Sequence, residues 1–383
     1  MTNPRIEFAN GLRGIAALSV VIGHYLGTFW KLTDAVAGLT GIVRSPVVRP
    51  VFVEMTISSP VNLGAFGVAL FFLISGFVIP LSFQSYGRLD FLAARFFRIY
   101  PTYWVGLSAS LVVLLIGGSV LGTQFPHSAA EVLFGYLIGA RDIAFVKSVD
   151  GVVWTIEIEL KFYLICALIA PWLREGSLKV FLVPCVLLLV ACILGVVLVP
   201  SATATKLYFA LLSAPYLIFM FVGVAFNFLY RGKIRTPAVG LAVLGMMLMY
   251  CVAQHFNFLV SDSFSLSFAV AVAVFTAAMR FPKIIGSIPL IGFWADISYP
   301  LYVVHGVTGY VLIEVLLASG IGAWSAILIA VAVATILAVT LHVTVETPSR
   351  EMGRRIAAAI RGGYAISETE AAIRPRLRLF RLK

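Results

Sequence analysis

Arg13 and His24 lie eleven residues apart in the first long apolar stretch, NGLRGIAALSVVIGHY. On an α-helix that spacing is close to three turns, so both side chains fall on one face, roughly 16 Å apart along the axis. A guanidinium inside a membrane costs about 2.5 kcal/mol at the least. An imidazole is the side chain that exchanges a proton most readily near neutral pH. Stacked on one face, the two mark a polar track into the bilayer. A carboxylate beside the imidazole would hold its tautomer and equip it as a general base. VVWTIEIELKFY supplies two candidates, Glu157 and Glu159, about 200° apart around their helix. One of them is therefore expected to face elsewhere, with Lys161 within reach of Glu157 at i+4.

Other motifs could hold a ligand. In LGAFGVALFFLISGFVIP, Gly64 and Gly67 suit close helix packing, whereas Ser75 and Gly76 pair a hydroxyl with a glycine that would let a ligand reach the backbone. RFFRIYP places Arg95 and Arg98 on one helical face, a geometry suited to phosphate; plain anchoring on the inner side of a membrane would use the same residues. In DISYPLYVVHG, Ser298, Tyr302 and His305 share a face, and a buried His satisfied by a neighbouring Tyr explains them as simply. His342 and Glu346, four apart, read as a local pair with a helix stop before Pro348.

The elements that must position these residues follow from composition. The 383 residues are 61% hydrophobic and 12% charged, with mean hydropathy +1.02, against about 25% charged in soluble domains. This excludes a water-soluble globular chain. Apolar runs long enough to cross about 30 Å of hydrocarbon recur throughout, and lipid forces them to be helices. The expected fold is an all-α polytopic membrane protein with about ten transmembrane helices: 9–30, 62–83, 99–120, 152–173, 180–199, 207–230, 237–256, 263–280, 297–318 and 324–345. With the N-terminus inside, twenty basic residues fall on the inner side against six outside, as the positive-inside rule requires. Counting the short segment 129–140 as a span would invert that bias, so it is expected to be re-entrant or interfacial. Residues 284–295 are expected to be interfacial too. Residues 1–349 form one membrane domain and 350–383 a basic cytoplasmic tail. By this topology Glu159 sits seven residues from the outer end of the fourth span and His24 six from its own, so the two can meet at one depth.

The first segment does not read as a cleaved signal peptide, because it lacks a small-residue cleavage site after a short apolar core. The net charge of +11 resides in loops and in RPRLRLFRLK, which suits anionic membrane lipids rather than nucleic acid. The four cysteines lie in apolar segments with no CxxC and no ligand spacing, and no metal signature is present.

GLRGIAALSVVIGH, LFFLISGF, RFFRIYP, WTIEIELKFY and ISYPLYVVHG, in this order, resemble the membrane acyltransferase-3 family of bacterial O-acyltransferases. The similarity covers nearly all ten spans. It implies transfer of an acyl group, usually acetyl from acetyl-CoA, to a hydroxyl of a carbohydrate or glycosylated acceptor at the bacterial inner membrane, with both termini cytoplasmic. It points to His24 as the catalytic histidine, Arg13 as its companion and Glu159 as the family glutamate. It also matches Arg95 and Arg98, with Ser75 and Gly76, to donor binding. Trp154, Glu157, Tyr302 and His305 are candidates for substrate contact. Asn10 departs from a frequent family Asp, and Thr155-Ile156 from the usual Ser-Leu. Some members carry a fused esterase-like domain; none is expected in these 383 residues.

The expected mechanism docks acyl-CoA phosphates at Arg95 and Arg98, threads the pantetheine arm past Arg13, and brings the thioester to His24, oriented by Glu159 or Glu157. An acyl-imidazole intermediate is the two-step variant. A transporter or flippase for a sugar or lipid-linked intermediate is the competing class, for which intramembrane charges are equally suited; no paired half-repeats are evident. Acceptor identity, acyl length and oligomeric state are not legible in the sequence.

Overall fold

The computed structural model describes residues 4–43, 50–197, 213–255, 262–282 and 289–362. Among them the regular elements are helices and none is a strand. In chain order they are α1 (Pro4–Ile22, continuing through a π-turn Gly23–Thr28 to Lys31), α2 (Thr33–Thr40), α3 (Val51–Ile57), α4 (Leu63–Ser82), α5 (Arg88–Leu121), α6 (Ala129–Tyr136), α7 (Val153–Leu168), α8 (Ala170–Glu175), α9 (Leu182–Val197), α10 (Ala214–Tyr230), α11 (Thr236–His255), α12 (Asp262–Arg280), α13 (Pro289–Asp296), α14 (Ser298–Ala318) and α15 (Ala323–Leu341).

Among the described residues, six helices are long and apolar enough to cross a membrane: Glu7–Lys31, Leu63–Ser82, Arg88–Leu121, Thr236–Gln254, Ser298–Ala318 and Ala323–Gly362. The protein is a multi-pass helical membrane protein. A helix covers the described part of each of the ten expected spans, but the count of ten goes beyond these six. Among the rest, α7 has 16 residues and carries Glu157, Glu159 and Lys161. Positions 198–199, 207–212 and 256 of the expected spans lie outside the described residues, as do 284–288 of the expected interfacial segment.

Segment 129–140 contains only the eight-residue α6, opened by a capping box in which Ser128 Oγ accepts from Glu131 N–H and Glu131 accepts from Ser128 N–H. Trp104 Nε1 donates to its Tyr136 carbonyl at 2.9 Å, which ties α6 to the side of α5.

Two helices form the centre. α4 and α14 each bury 72% of their apolar window, whereas α11 buries 22% and exposes Leu241, Leu244 and Leu248, as a lipid-facing surface requires. Small residues let the central helices approach. A Cβ on Gly23 would lie 2.3 Å from the Gly64 nitrogen, one on Gly67 2.5 Å from the Ala16 carbonyl, and one on Gly76 2.0 Å from the Met220 carbonyl. Gly64 and Gly67 thus pack helices, as their spacing suggests. Gly76 does the same against α10, so its backbone is covered by a helix and is not open to a ligand. The sequence-based reading of Gly76 as a donor contact is corrected on that ground.

The last helix also departs from expectation. The pair His342–Glu346 forms, with Nδ1 and Oε2 2.7 Å apart, but the helix does not stop before Pro348. A π-turn at His342–Glu346 absorbs the proline, Thr347 N–H bonding to the His342 carbonyl, and helical structure runs on to Gly362. A Cβ on Gly353 would lie 2.8 Å from that of Phe97, so this extension packs tightly on α5. The first thirteen residues of the expected tail are therefore docked helix; 363–383 lie outside the described residues.

Candidate active site

His24 sits in the π-turn at the C-terminal part of α1, half-buried, and its ring meets α14. A π-turn inserts an extra residue per turn and re-aims side chains, which is why such turns recur at functional sites. His24 Nδ1 lies 3.1 Å from His305 Nε2 and 3.0 Å from the Tyr310 hydroxyl. His305 Nδ1 in turn lies 2.8 Å from the Tyr302 carbonyl and 3.1 Å from that of Leu301. Carbonyl oxygens only accept, so His305 Nδ1 carries a proton. In neutral His305, Nε2 is then the acceptor, and His24 Nδ1–H donates to it, with the Tyr310 oxygen sharing the same proton. One nitrogen is left over. In that tautomer His24 Nε2 carries no proton, and it makes no hydrogen bond to a described residue. Tyr25, fully buried, donates to the His305 carbonyl at 2.7 Å and locks the α14 backbone beneath this pair.

Towards the N-terminal ends of α1 and α14 is a cleft of about 620 Å³ lined by Arg13, Arg98, Ser75, Glu159, Tyr299 and Tyr302, among others. Arg13 and His24 both meet α14, one level with Ser298–Tyr302 and the other with His305–Tyr310, so the shared flank expected from their spacing is present. Glu159 accepts from Ser75 Oγ at 2.7 Å and from the Tyr163 hydroxyl at 2.6 Å. Neither Arg13 nor Arg98 forms a hydrogen bond or ion pair with a described residue. Arg95 donates from Nη2 to Ser82 Oγ at 2.8 Å and stacks over Phe91 and Tyr163, while its buried Nε has no partner. Three guanidiniums thus face one carboxylate.

The expected meeting of Glu159 with His24 does not occur. Before α7 the chain folds back into the bundle, held by Asp150, which accepts from the Tyr103 hydroxyl at 2.9 Å and from the N–H groups of Val152 and Val153. The helix therefore starts deep, and Glu159 lands level with Arg13. Nor does Glu157 reach His24 or pair with Lys161. It forms a bidentate pair with Arg141, at 2.9 and 2.5 Å, while Lys161 pairs with Asp142 and donates to Ser213 at 2.8 Å. Trp154 packs on Tyr216 with centroids 5.3 Å apart. Tyr302 is hydrogen-bonded to Thr155 at 2.6 Å and stands between the cleft and His305, ring centroids 5.6 Å apart. Tyr310 and Tyr163 escaped the sequence reading. Tyr163 is at i+4 from Glu159 and was legible by helical spacing; Tyr310, five residues past His305, was not. Among the described residues no group of three or more His, Cys, Asp or Glu could hold a metal ion.

The family model described as an acyltransferase domain, that of the acyltransferase-3 family, matches residues 6–343. The chain belongs to that family. It is 26% identical over 329 residues to the exopolysaccharide production protein ExoZ of Rhizobium meliloti (strain 1021), which covers 79% of this chain and 96% of the relative. It is 32% identical over 139 residues to nodulation protein 10 of Rhizobium leguminosarum bv. viciae, covering 30% of this chain and 36% of that protein. No solved structure matches. Family membership places the protein among acyltransferases rather than in the transporter class. Arg13, His24, Ser75, Arg95, Arg98, Glu159, Tyr302 and His305 all fall within the matched region.

Proposed function

We propose that the protein transfers an acyl group, acetyl in the simplest case, from acyl-CoA to a hydroxyl of a carbohydrate or glycosylated acceptor, with His24 as general base. The observation that carries this reading is the proton chain from the α14 carbonyls through His305 to His24, which leaves Nε2 of His24 free to accept. The ExoZ relative, an exopolysaccharide production protein, supports a carbohydrate acceptor.

In the proposed reaction the acceptor oxygen attacks the thioester carbonyl carbon as His24 Nε2 takes the hydroxyl proton. The tetrahedral intermediate then collapses, the C–S bond breaks, and the CoA sulfur leaves with the proton returned from His24. His305, accepting from Nδ1–H throughout, stabilises the transient imidazolium and holds the ring. Base catalysis of this kind contributes about 10²–10⁴ in rate. Arg95 and Arg98 take the donor phosphates, and Arg13 and Ser75 line the passage of the arm. Glu159 balances charge and holds the cleft wall through Ser75 and Tyr163, a positioning role in place of the expected pairing with His24. Tyr302 and Trp154 flank the path, while Glu157 serves the Arg141 pair. The ten-span topology, with cytoplasmic termini in a bacterial inner membrane, a domain of 1–349 and a basic tail against anionic lipids, puts the arginines on the side where acyl-CoA is made.

The deciding experiment is transfer of labelled acetyl from acetyl-CoA to a surface-glycan extract by membranes holding the protein. His24→Ala is expected to abolish transfer while inserting normally; full activity in that variant would refute the assignment. A hydroxylamine-labile acyl adduct on the wild type, absent in His24→Ala, would replace direct transfer by an acyl-imidazole relay.

A further inference from the structure

A second cavity, of about 550 Å³, opens beside the first and is lined by Arg95, Arg98, Arg350, Arg354, Tyr86 and Phe91. Arg98 lines both cavities. Two of the four guanidiniums come from α5 and two from the helical extension of the last span. Arg350 and Arg354 are four residues apart and share a face. Their ion pairs among the described residues are with carboxylates of their own helix, Glu346 Oε1 3.7 Å from Arg350 Nη1 and Glu351 Oε2 2.5 Å from Arg354 Nη2, and Asp296 of α13 adds a longer-range attraction for Arg350. Among the described residues no carboxylate lines the cavity itself. Gly353 lies between the two arginines on the sequence and sets the helix directly against Phe97 and Ala94 of α5. Arg361 fastens the far end, 3.3 Å from Asp90 and stacked over Tyr86 at 4.8 Å.

We propose that Arg350 and Arg354 complete a four-arginine socket for the phosphorylated nucleotide end of the donor, an inference that rests on acyl-CoA being the donor. CoA carries a pyrophosphate and a ribose phosphate, more negative charge than the Arg95–Arg98 pair alone can neutralise. Guanidinium forks match phosphate oxygens in geometry, and the buried, unpartnered Nε of Arg95 is a donor left for such an anion. Anionic lipid headgroups share this chemistry. The nucleotide is favoured because the socket is continuous, through Arg98, with the cleft that holds Arg13, Ser75 and Glu159, so an anion seated there has a path inward for its arm. The extension beyond the last span is then part of the donor site and not a membrane anchor.

The test compares two donors in the full-length protein: acetyl-CoA and S-acetylpantetheine, which has the same thioester arm and no phosphate. The readout is the ratio of kcat/KM for the two. Each of Arg350→Gln and Arg354→Gln is expected to lower that ratio about tenfold, in line with the loss of one charge-assisted contact. Gly353→Leu, which lifts the helix off α5 without removing a charge, is expected to lower it too. Arg355→Gln, exposed on the same helix and paired with Glu351, is expected to leave the ratio at the wild-type value. An unchanged ratio in the Arg350 and Arg354 variants overturns the proposal, and so does a ratio that falls equally in Arg355→Gln. Weaker binding of the Arg350 and Arg354 variants to phosphatidylglycerol vesicles, with the ratio unaltered, would assign the socket to lipid and overturn it as well. If the wild type uses neither donor, it is the acyl-CoA reading itself that fails.

Discussion

Around His24 every imidazole nitrogen but one is occupied: Nδ1 faces His305 and Tyr310, His305 Nδ1 faces two carbonyls, and one of the neighbouring carbonyls takes the Tyr25 hydroxyl. Around Arg98 the reverse holds. Arg13 and Arg98 have no hydrogen-bond or ion-pair partner among the described residues, Arg95 leaves a buried N–H unused, and Glu159 is the single carboxylate of the cleft. The region around His24 is built of neutral groups that mostly satisfy one another; the region around Arg98 is cationic and unsaturated. A group that must take a proton repeatedly benefits from a fixed tautomer and orientation. A group that must capture and release an anion benefits from unspent donors, since a resident carboxylate would have to be displaced at each turnover. The two regions therefore should fail in different kinetic parameters when altered.

The largest separation after loss of His24 itself is expected at His305. His305→Phe keeps a ring in place but removes the acceptor for His24 Nδ1–H, so kcat should fall about 100-fold while KM for acetyl-CoA stays within about twofold. Recovery of kcat in His305→Gln, whose amide oxygen can again accept from His24 Nδ1–H, would mark a role in proton handling that a purely structural defect does not produce. Arg98→Ala should do the opposite, raising KM for acetyl-CoA about tenfold with the smaller change in kcat. If both variants moved the same parameter, the division between a proton-handling and an anion-handling region would not stand. Glu159→Gln comes next. Glutamine still accepts from Ser75 and Tyr163, so steady-state rates should drop only a few-fold, far less than for His305→Phe. A loss as large as that of His24→Ala would restore the carboxylate to direct proton transfer.

These contrasts also show what a linear chain discloses. The shared flank of Arg13 and His24, the single helical face of Arg95 and Arg98, and the Ser298–Tyr302–His305 stripe were legible because helical periodicity depends only on spacing. The all-helical membrane fold was legible from composition, because lipid leaves the backbone no other choice. The partner of His24 was not. Depth counted from span ends places Glu159 beside it only if every helix starts at the membrane surface. α7 starts within the bundle, where Asp150 accepts from Tyr103 and from the N–H groups of Val152 and Val153, a tertiary fact that no local pattern carries. The π-turns at Gly23–Thr28 and His342–Glu346 were equally hidden, since each depends on contacts made by other helices. The second of them turned an apparent helix stop at Pro348 into a docked extension, and with it brought Arg350 and Arg354 beside Arg95 and Arg98.

Gly76 provides the finest test of how the cationic region is built. Its neighbour Ser75 faces the cleft, so sequence alone favours a shared role in donor binding. The structure instead sets Gly76 against Gly223 of α10, where a Cβ on either residue would meet backbone: 2.0 Å from the Met220 carbonyl for Gly76, 2.4 Å from the Leu73 carbonyl for Gly223. Backbone cannot swing aside as a side chain can, so overpacking should cost about 1–3 kcal/mol of stability. Gly223 does not line the cleft, and it therefore serves as the control. Gly76→Ala and Gly223→Ala should lower the thermal midpoint of the detergent-solubilised protein by similar amounts and leave KM for acetyl-CoA, measured on the folded fraction, alike in both. A KM raised in Gly76→Ala alone, with no loss of stability, would return that glycine to the donor site and make the unsaturated region one ligand contact larger.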